Sequence, residues 1–423
     1  MHARVSAQLV GTELMRVLML APFYPLPIRS GGHTRLARLV QELAPRHELH
    51  WMSLVTPEED GAVPPLAGLA SPPVLVRARH NPDWRSRMSE ALRPAEWRRG
   101  WSRGLDRLKQ YPPDAVHMNF TDLASQIRER LQQLPFDIVQ IEYTAMGRYL
   151  PLIRRVSPNA RVFLDEIDVS YIALRRRAEV EQDPSTRRRV ERWALKMERF
   201  EKRLWSKCDG ILTMSAVDAR TVAESAGHGR VWPVPNGVDT GFFAFRERDP
   251  GSRRLLFLGN LLHPPNSAGL RFFLQEVWPG IRRRNADLEL DVIGEPGGFR
   301  DGADAPPGVV FHGVVEDVRP LLAAACLMVV PILSGSGTRL KVLEAFAAGV
   351  PVMSTALGCE GLEVENGREV LLAESPEAFI EGALRMADHP EDSAELARRA
   401  RHLMEARYTW SAIAAELERA WAG

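Results

Sequence analysis

Short apolar runs alternate with stretches of helical period through most of the chain. RVLMLAPFY (16–24), HELHWMSLV (47–55), FDIVQIEY (136–143), RVFLDE (161–166) and GILTMS (210–215) have the length and composition of strands buried on both faces. Between them, TRLARLVQELAP (34–45) sets Leu36, Leu39, Val40 and Leu43 on one helical stripe. RRRVERWALKMERFEKRLWSKCDG (187–210) does the same with Trp193, Met197, Phe200 and Leu204, which predicts a long charged helix. VWPVPNGVDTGFFAFRERDPGSRR (231–254) is rich in Pro, Gly and charge and reads as a linker, after which the pattern restarts. Strands are expected at 254–260, 288–295, 309–315, 326–333 and 350–355, and helices at 266–284, 318–325 and 338–349. Such alternation predicts parallel sheets covered on both faces. The expected fold class is α/β, with two doubly wound, Rossmann-like domains in tandem. The expected boundaries are 1–232, a linker at 233–253, a second domain at 254–400, and helices at 401–423 that pack back on the first domain. Ligands of doubly wound sheets bind beyond the carboxyl ends of the strands, so the cleft between the domains is the expected site.

Composition narrows the function classes. With 423 residues, 45% hydrophobic and 26% charged, the chain can bury large cores without disulfides, and a disordered or fibrous chain is excluded. A net charge of +1 gives no global signal for nucleic acid or membrane. That balance conceals an asymmetry. Residues 253–423 carry 16 Arg and one Lys against 24 Asp and Glu, a net of −7, which leaves +8 on residues 1–252. Lysine is scarce, confined to Lys109, Lys196, Lys202, Lys207 and Lys341. Cys208, Cys326 and Cys359 are too few and too far apart for a zinc site or disulfide framework, which fits a cytoplasmic setting. No apolar h-region opens the chain, so a signal peptide is not expected, and Met15 is an alternative start just before the first strand. The longest apolar run, 321–333, contains Pro331 and is too short to span a bilayer.

Residues 57–113 break the pattern and read as helices and loops inserted at the rim of the first sheet. From Arg77 to Lys109 they hold ten basic and four acidic residues, with Trp84, Trp97 and Trp101. This stretch reads either as an Arg-rich solvated surface or as a peripheral contact at the inner face of a membrane that presents a lipid-linked acceptor.

PILSGSGTRLKVLEAFAAGVPVMSTALGCEGL (331–362) carries the most chemistry. A strand ends at Leu333, and Ser334, Gly335, Ser336 and Gly337 form a small loop before a helix that opens near Thr338. Exposed N–H groups and the positive dipole end of a helix start bind anions. Arg339 and Lys341 put two cations in the first turn, where the dipole disfavours them, and that placement suits a bound anion. Glu344 lies deeper in the helix as an acceptor for sugar hydroxyls.

These residues resemble the GT-B glycosyltransferases of glycosyltransferase family 4. LEAFAAGVPV (343–352) matches the family stretch of Glu, an Ala-rich helix, Gly and Pro-Val, with Glu344 as the second Glu of its Glu-x7-Glu motif, which binds the donor ribose. Ser336 stands where the first Glu is expected, as in a subgroup with a Gly-rich loop. PFYPLPIRSGGHTRLARLVQEL (22–43) resembles the family's first strand, Gly-Gly loop and helix, which implies that Gly31 and Gly32 lie against donor phosphate or acceptor. PVPNGVD (233–239) matches the turn that sets the interdomain hinge. FLGNLLHPPNSAGLRFF (257–273) resembles the first unit of the donor domain, with Asn260 and Asn266 where many members carry Arg and Lys. The phosphate charge is therefore assigned to Arg339 and Lys341. VFLDEIDVSYIALRRRAE (162–179) resembles a stretch with Asp-Glu-His-Asn. Ile167 replaces the His and Asp168 the Asn, leaving Asp165, Glu166 and Asp168 as polar candidates, with Glu142 and Tyr143 behind them.

The resemblance implies a GT-B fold and transfer of a sugar, with retention, from a nucleotide-diphosphate donor to a hydroxyl acceptor in polysaccharide or glycoconjugate biosynthesis. The implied catalytic residues are Asp168, Glu166, Arg339 and Lys341. The donor would be held by Gly31, Gly32, Asn260, Gly335, Ser336, Gly337, Thr338, Arg339, Lys341 and Glu344, with the backbone near Val314 at the base. No metal and no resident cofactor are implied, and His33 and His117 have no ligand-like partners in sequence. The implied partners are the nucleotide-sugar and a glycan acceptor, free or lipid-linked, and no nucleic acid. Three other readings compete. A GT-B nucleotide-sugar 2-epimerase would need no acceptor. A nicotinamide dehydrogenase is weakly suggested by Gly335-x-Gly337, but Leu340 stands where the third Gly belongs. A catalytically degenerate sugar-nucleotide-binding protein would explain the missing Glu and His.

Overall fold

The computed structural model describes residues 13–56, 63–78, 112–113, 115, 118, 120–299, 305–335 and 337–423. Strands β1 (Arg16–Ala21), β2 (Glu48–Val55), β3 (Val74–Arg77), β4 (Ile138–Glu142), β5 (Arg161–Glu166), β6 (Gly210–Thr213) and β7 (Val231–Pro233) form a parallel sheet in the order β3-β2-β1-β4-β5-β6-β7. Strands β8 (Arg254–Leu258), β9 (Glu289–Ile293), β10 (Val309–Gly313), β11 (Leu327–Val330), β12 (Val352–Ser354) and β13 (Leu371–Leu372) form a second, in the order β10-β9-β8-β11-β12-β13. Each order reverses beside its first strand, as in doubly wound folds, and opens a crevice at the carboxyl ends of the strands.

Burial on both faces explains the continuous apolar runs. Leu18 and Leu20 of β1 enter one core and Val17, Met19 and Ala21 the other. In β8, Leu255 and Phe257 face one layer while Leu256 faces the opposite one. Three strands depart from the pattern reading. β3 lies inside the stretch expected to be helices and loops, pairing in parallel with the edge of β2. β7 lies in the stretch read as linker and adds to β6. β13 is only two residues long, too short for any periodicity to show. The helix expected at 266–284 is interrupted by a π turn, Phe273–Val277, just before Pro279, which cannot donate an i→i−4 bond. The expected interfacial stretch Arg77–Lys109, with Trp84, Trp97 and Trp101, lies outside the described residues beyond Ala78, as does His117. No helix of the described residues is long and apolar enough to cross a membrane.

The chain passes between the two sheets twice, and the passes lie side by side. After β7 the segment Val234–Val238 leaves the first domain, and Val238 donates to the carbonyl of Tyr408 at 2.7 Å. Helix Pro390–Arg407 packs in the second domain, with Ala400 and Met404 in its core. The next helix, Trp410–Ala422, returns to the first, where Trp421 Nε1 donates to Gln140 Oε1 at 2.9 Å.

Arg35 fastens this crossing. It is fully buried on helix Gly31–Leu43, a position the apolar stripe does not need. Its guanidinium donates to both carboxylate oxygens of Asp165 (3.0 and 3.3 Å), to the carbonyls of Val234 (2.9 Å) and Pro235 (2.8 Å), and to Asn236 Oδ1 (3.4 Å). Nearby acids are also buried. Glu166 accepts from Thr144 Oγ1 and from Trp205 Nε1 at 3.0 Å, and burial pushes its carboxyl up to about 7.

Two outcomes are expected. Arg35→Ala leaves Asp165 buried and unpaired, which should cost about 3–5 kcal/mol in denaturant unfolding, whereas exposed Arg→Ala changes should stay within about 0.5 kcal/mol. Because folded Glu166 holds its proton more tightly than the unfolded chain does, its contribution is fully present below about pH 4.3 and is lost as pH rises through 7. Glu166→Gln should therefore flatten the fall of Tm between pH 5 and 7.5, and an unchanged slope would refute that assignment.

Candidate functional site

Two helix N-termini meet where the sheets face each other. Helix Gly31–Leu43 begins after β1 with Ser30 as N-cap, and helix Leu340–Ala348 begins after β11 with Arg339 as N-cap. A Cβ on Gly31 would lie 2.9 Å from Leu340 Cδ1, so the two helix starts are in close contact and a larger residue here would displace the leucine side chain. Gly32 is equally confined, with the Tyr143 hydroxyl 2.0 Å from where its Cβ would stand. Tyr143 is the one non-glycine residue of positive φ (67°) among the described residues, and it directly follows β4. The second helix starts at Leu340, two residues later than its pattern suggests, because Arg339 is extended (φ −99°, ψ 100°).

The cations gather at this junction. Lys341 Nζ donates to the carbonyl of Leu258 (2.7 Å) and to Asn266 Oδ1 (3.0 Å), and lies over the Phe257 ring. Its ammonium thus sits at the end of β8, against the loop where the family resemblance calls for Arg and Lys. Burial, with Arg339 nearby, pushes it down to about 7. Arg339 curls back onto the carbonyl of Gly337, and its pKa is also lowered by burial. Glu344, one turn after Lys341, is half-buried and pushed up to about 7, against the pull of Lys341.

From the opposite domain, Asp168 reaches the loop. A Cβ on Gly337 (φ 79°) would lie 2.3 Å from Asp168 Oδ1, so this glycine is required both by its conformation and by the carboxylate. Asp168 also supports the charge on Arg339. With Tyr143, Thr144, Ala145, Ile167, Ser170 and Met197 it lines a small pocket. Two first-domain groups bond to the same loop. Arg176 donates to the Gly335 carbonyl (2.9 Å) and to both oxygens of Glu360 (2.6 and 2.7 Å). Asn236 Nδ2 donates to Thr338 Oγ1 at 2.9 Å.

The structure therefore brings together Gly31, Gly32, Asp168, Gly335, Gly337, Thr338, Arg339, Lys341 and Glu344 at one junction. Ser336 lies outside the described residues. Glu166 does not join them, since its oxygens point to Thr144 and Trp205 within the first domain and it is 1% exposed. Asp165 is likewise committed to Arg35. Glu142 is buried beneath Tyr143, bonded to Gln140, and its carboxyl is held well above its usual range by burial and by Asp165. Asn260 is exposed and spends its side chain on the Leu262 N–H, while Asn266 is the asparagine that meets Lys341. Val314, 71% exposed, follows β10 at the carboxyl edge of the second sheet. Sequence reasoning missed Arg176, Asn236 and Glu360. Arg176 lies in an RRR run that gives no hint which arginine faces inward, and Asn236 lies in a turn read as a hinge.

Residues 252–389 match the family described as Glycosyl transferases group 1. The phosphatidyl-myo-inositol mannosyltransferase of Mycobacterium leprae is 26% identical over 234 residues, 51% of this chain and 59% of that protein. The chain spans about half the length of the named relatives it matches. Sucrose-phosphate synthase from Thermosynechococcus elongatus superposes with a TM-score of 0.66 at 15% identity, covering 96% of this chain and 98% of that one. Anabaena Alr3699/HepE, in complex with UDP, does so at 0.62 and 12% identity, covering 96% and 99%. Residues 252–389 thus resemble a group 1 glycosyl transferase domain, within a GT-B fold that extends over both halves.

Proposed function

We propose that the protein transfers a sugar from a nucleotide-diphosphate donor to the hydroxyl of a glycan acceptor, with retention at the anomeric carbon. The observation that carries this reading is the convergence of two helix N-termini with Arg339 and Lys341 at the carboxyl ends of both sheets. Such a point stabilises a diphosphate, and most of all the charge that develops as it leaves the sugar. In this scheme Glu344 accepts from the ribose, the backbone near Val314 lies against the base, and Asp168 orients the acceptor hydroxyl from the cavity it lines. The UDP complex of the Anabaena protein supports a nucleotide in this fold. No observation favours the epimerase or dehydrogenase readings over this one.

Thermal shift with UDP- and GDP-sugars should single out one donor, since a ligand at 100 times its Kd stabilises by about 2.7 kcal/mol. Arg339→Ala/Lys341→Ala should then lower transfer by about 100-fold or more while unfolding stays cooperative; unchanged turnover would sink the assignment. Nucleoside diphosphate binding should also depend on pH with a definite sign. Lys341 loses its proton as pH rises through 7, and Glu344 gains negative charge over the same range. Affinity should therefore fall from pH 6.5 to 8.5, with proton uptake visible by calorimetry in buffers of different ionisation enthalpy. Lys341→Arg, which stays charged, should make that dependence shallower.

A further inference from the structure

The loop that would hold the diphosphate belongs to the second domain in sequence, yet two of its groups are bonded from the first. Arg176 projects from helix Ser170–Val180, and Asn236 from the crossing segment after β7. Their targets, the Gly335 carbonyl and the Thr338 hydroxyl, lie on opposite sides of Gly337. Neither group is left to find its own orientation. Glu360 takes Arg176 in a two-point ion pair. Asn236 is 7% exposed, and its Oδ1 accepts from Arg35, so its amide nitrogen is turned toward Thr338. With φ of 111° at Gly335 and 79° at Gly337, this loop has far more conformational freedom than a chain of L side chains would. External bonds can remove that freedom before a ligand arrives.

We propose that Arg176 and Asn236 are positioning residues for the diphosphate loop, so that the anion site is completed only by the first domain. This rests on the nucleotide-sugar reading above. Binding of the diphosphate and docking of the domains are then one coupled event, because the bonds that order the loop are the ones that cross the cleft. A second-domain loop freed from these bonds keeps its base contacts and loses its grip on phosphate.

The test compares a nucleoside diphosphate with its parent nucleoside, using UDP with uridine and GDP with guanosine on the full chain. Arg176→Ala should weaken the diphosphate about tenfold, the scale of a hydrogen bond from a charged group, and Asn236→Ala about fivefold, the scale of a neutral one, with the nucleoside bound as in wild type. The double variant should lose about the product of the two. A role limited to packing would weaken diphosphate and nucleoside alike, or leave both unchanged, and either result overturns the proposal. Should Arg176→Ala fail to fold, Glu360→Gln takes its place, since it frees the guanidinium without removing it, and it should weaken the diphosphate selectively in the same way. If wild-type protein binds neither UDP nor GDP, the nucleotide reading itself fails and this inference falls with it; if it binds one and the variants bind it equally well, only this inference fails.

Discussion

One buried guanidinium ties the core of the first domain to the chain segment that leaves it for the second. Arg35 bonds to Asp165 at the end of β5 and to three successive residues of the chain as it leaves the first domain. A carboxylate alone would have neutralised the charge, but the carbonyls of Val234 and Pro235 and the Asn236 side chain take the remaining donors, so few other paths for the crossing segment would satisfy it. Buried ion pairs contribute little net stability, since desolvation offsets most of the attraction. What this one supplies is specificity, because a misplaced crossing leaves a charge without partners in the core. The return passage lies alongside, through the Val238–Tyr408 bond and the packing of Trp410 against Gly237, which has no room for a side chain.

The cleft inherits its geometry from that fastening. Asn236, last of the three residues that Arg35 holds, is the residue that reaches Thr338. Gly31, four residues before Arg35 on the same helix, is the point of contact with Leu340. One side chain therefore holds the crossing segment and lies on the helix whose start meets Leu340. The charge asymmetry of the sequence acquires a local meaning here. The second half is acidic overall, yet Arg339 and its one lysine stand at the junction, and Arg176 joins them from the basic half.

Much of this was legible in the sequence. The strands of both sheets that are buried on two faces announced themselves as apolar runs, and the Ala-rich helix after the Gly loop announced the second domain. Lys341, conspicuous because lysine is rare in this chain, does stand at the loop where the resemblance lacked a cation. β3 and β7 escaped because edge strands are short and need no alternating pattern to be covered. Glu166 misled for another reason. In a strand buried on both faces, adjacent acids point opposite ways, so Asp165 and Glu166 could not both face one site, and in fact neither opens into the cleft.

The sequence by itself determined the layers and the strand–helix alternation of both halves, because these follow from local periodicity. Only the tertiary structure decided which of three consecutive arginines crosses the cleft, which asparagine meets Lys341, and which acid lies at the loop. Those choices depend on contacts between residues far apart in the chain, 75 positions for Asn266 with Lys341, 102 for Asn236 with Thr338 and 184 for Arg176 with Glu360. No local propensity encodes such pairs, since their partners exist only once both sheets have formed and Arg35 has fixed the path between them.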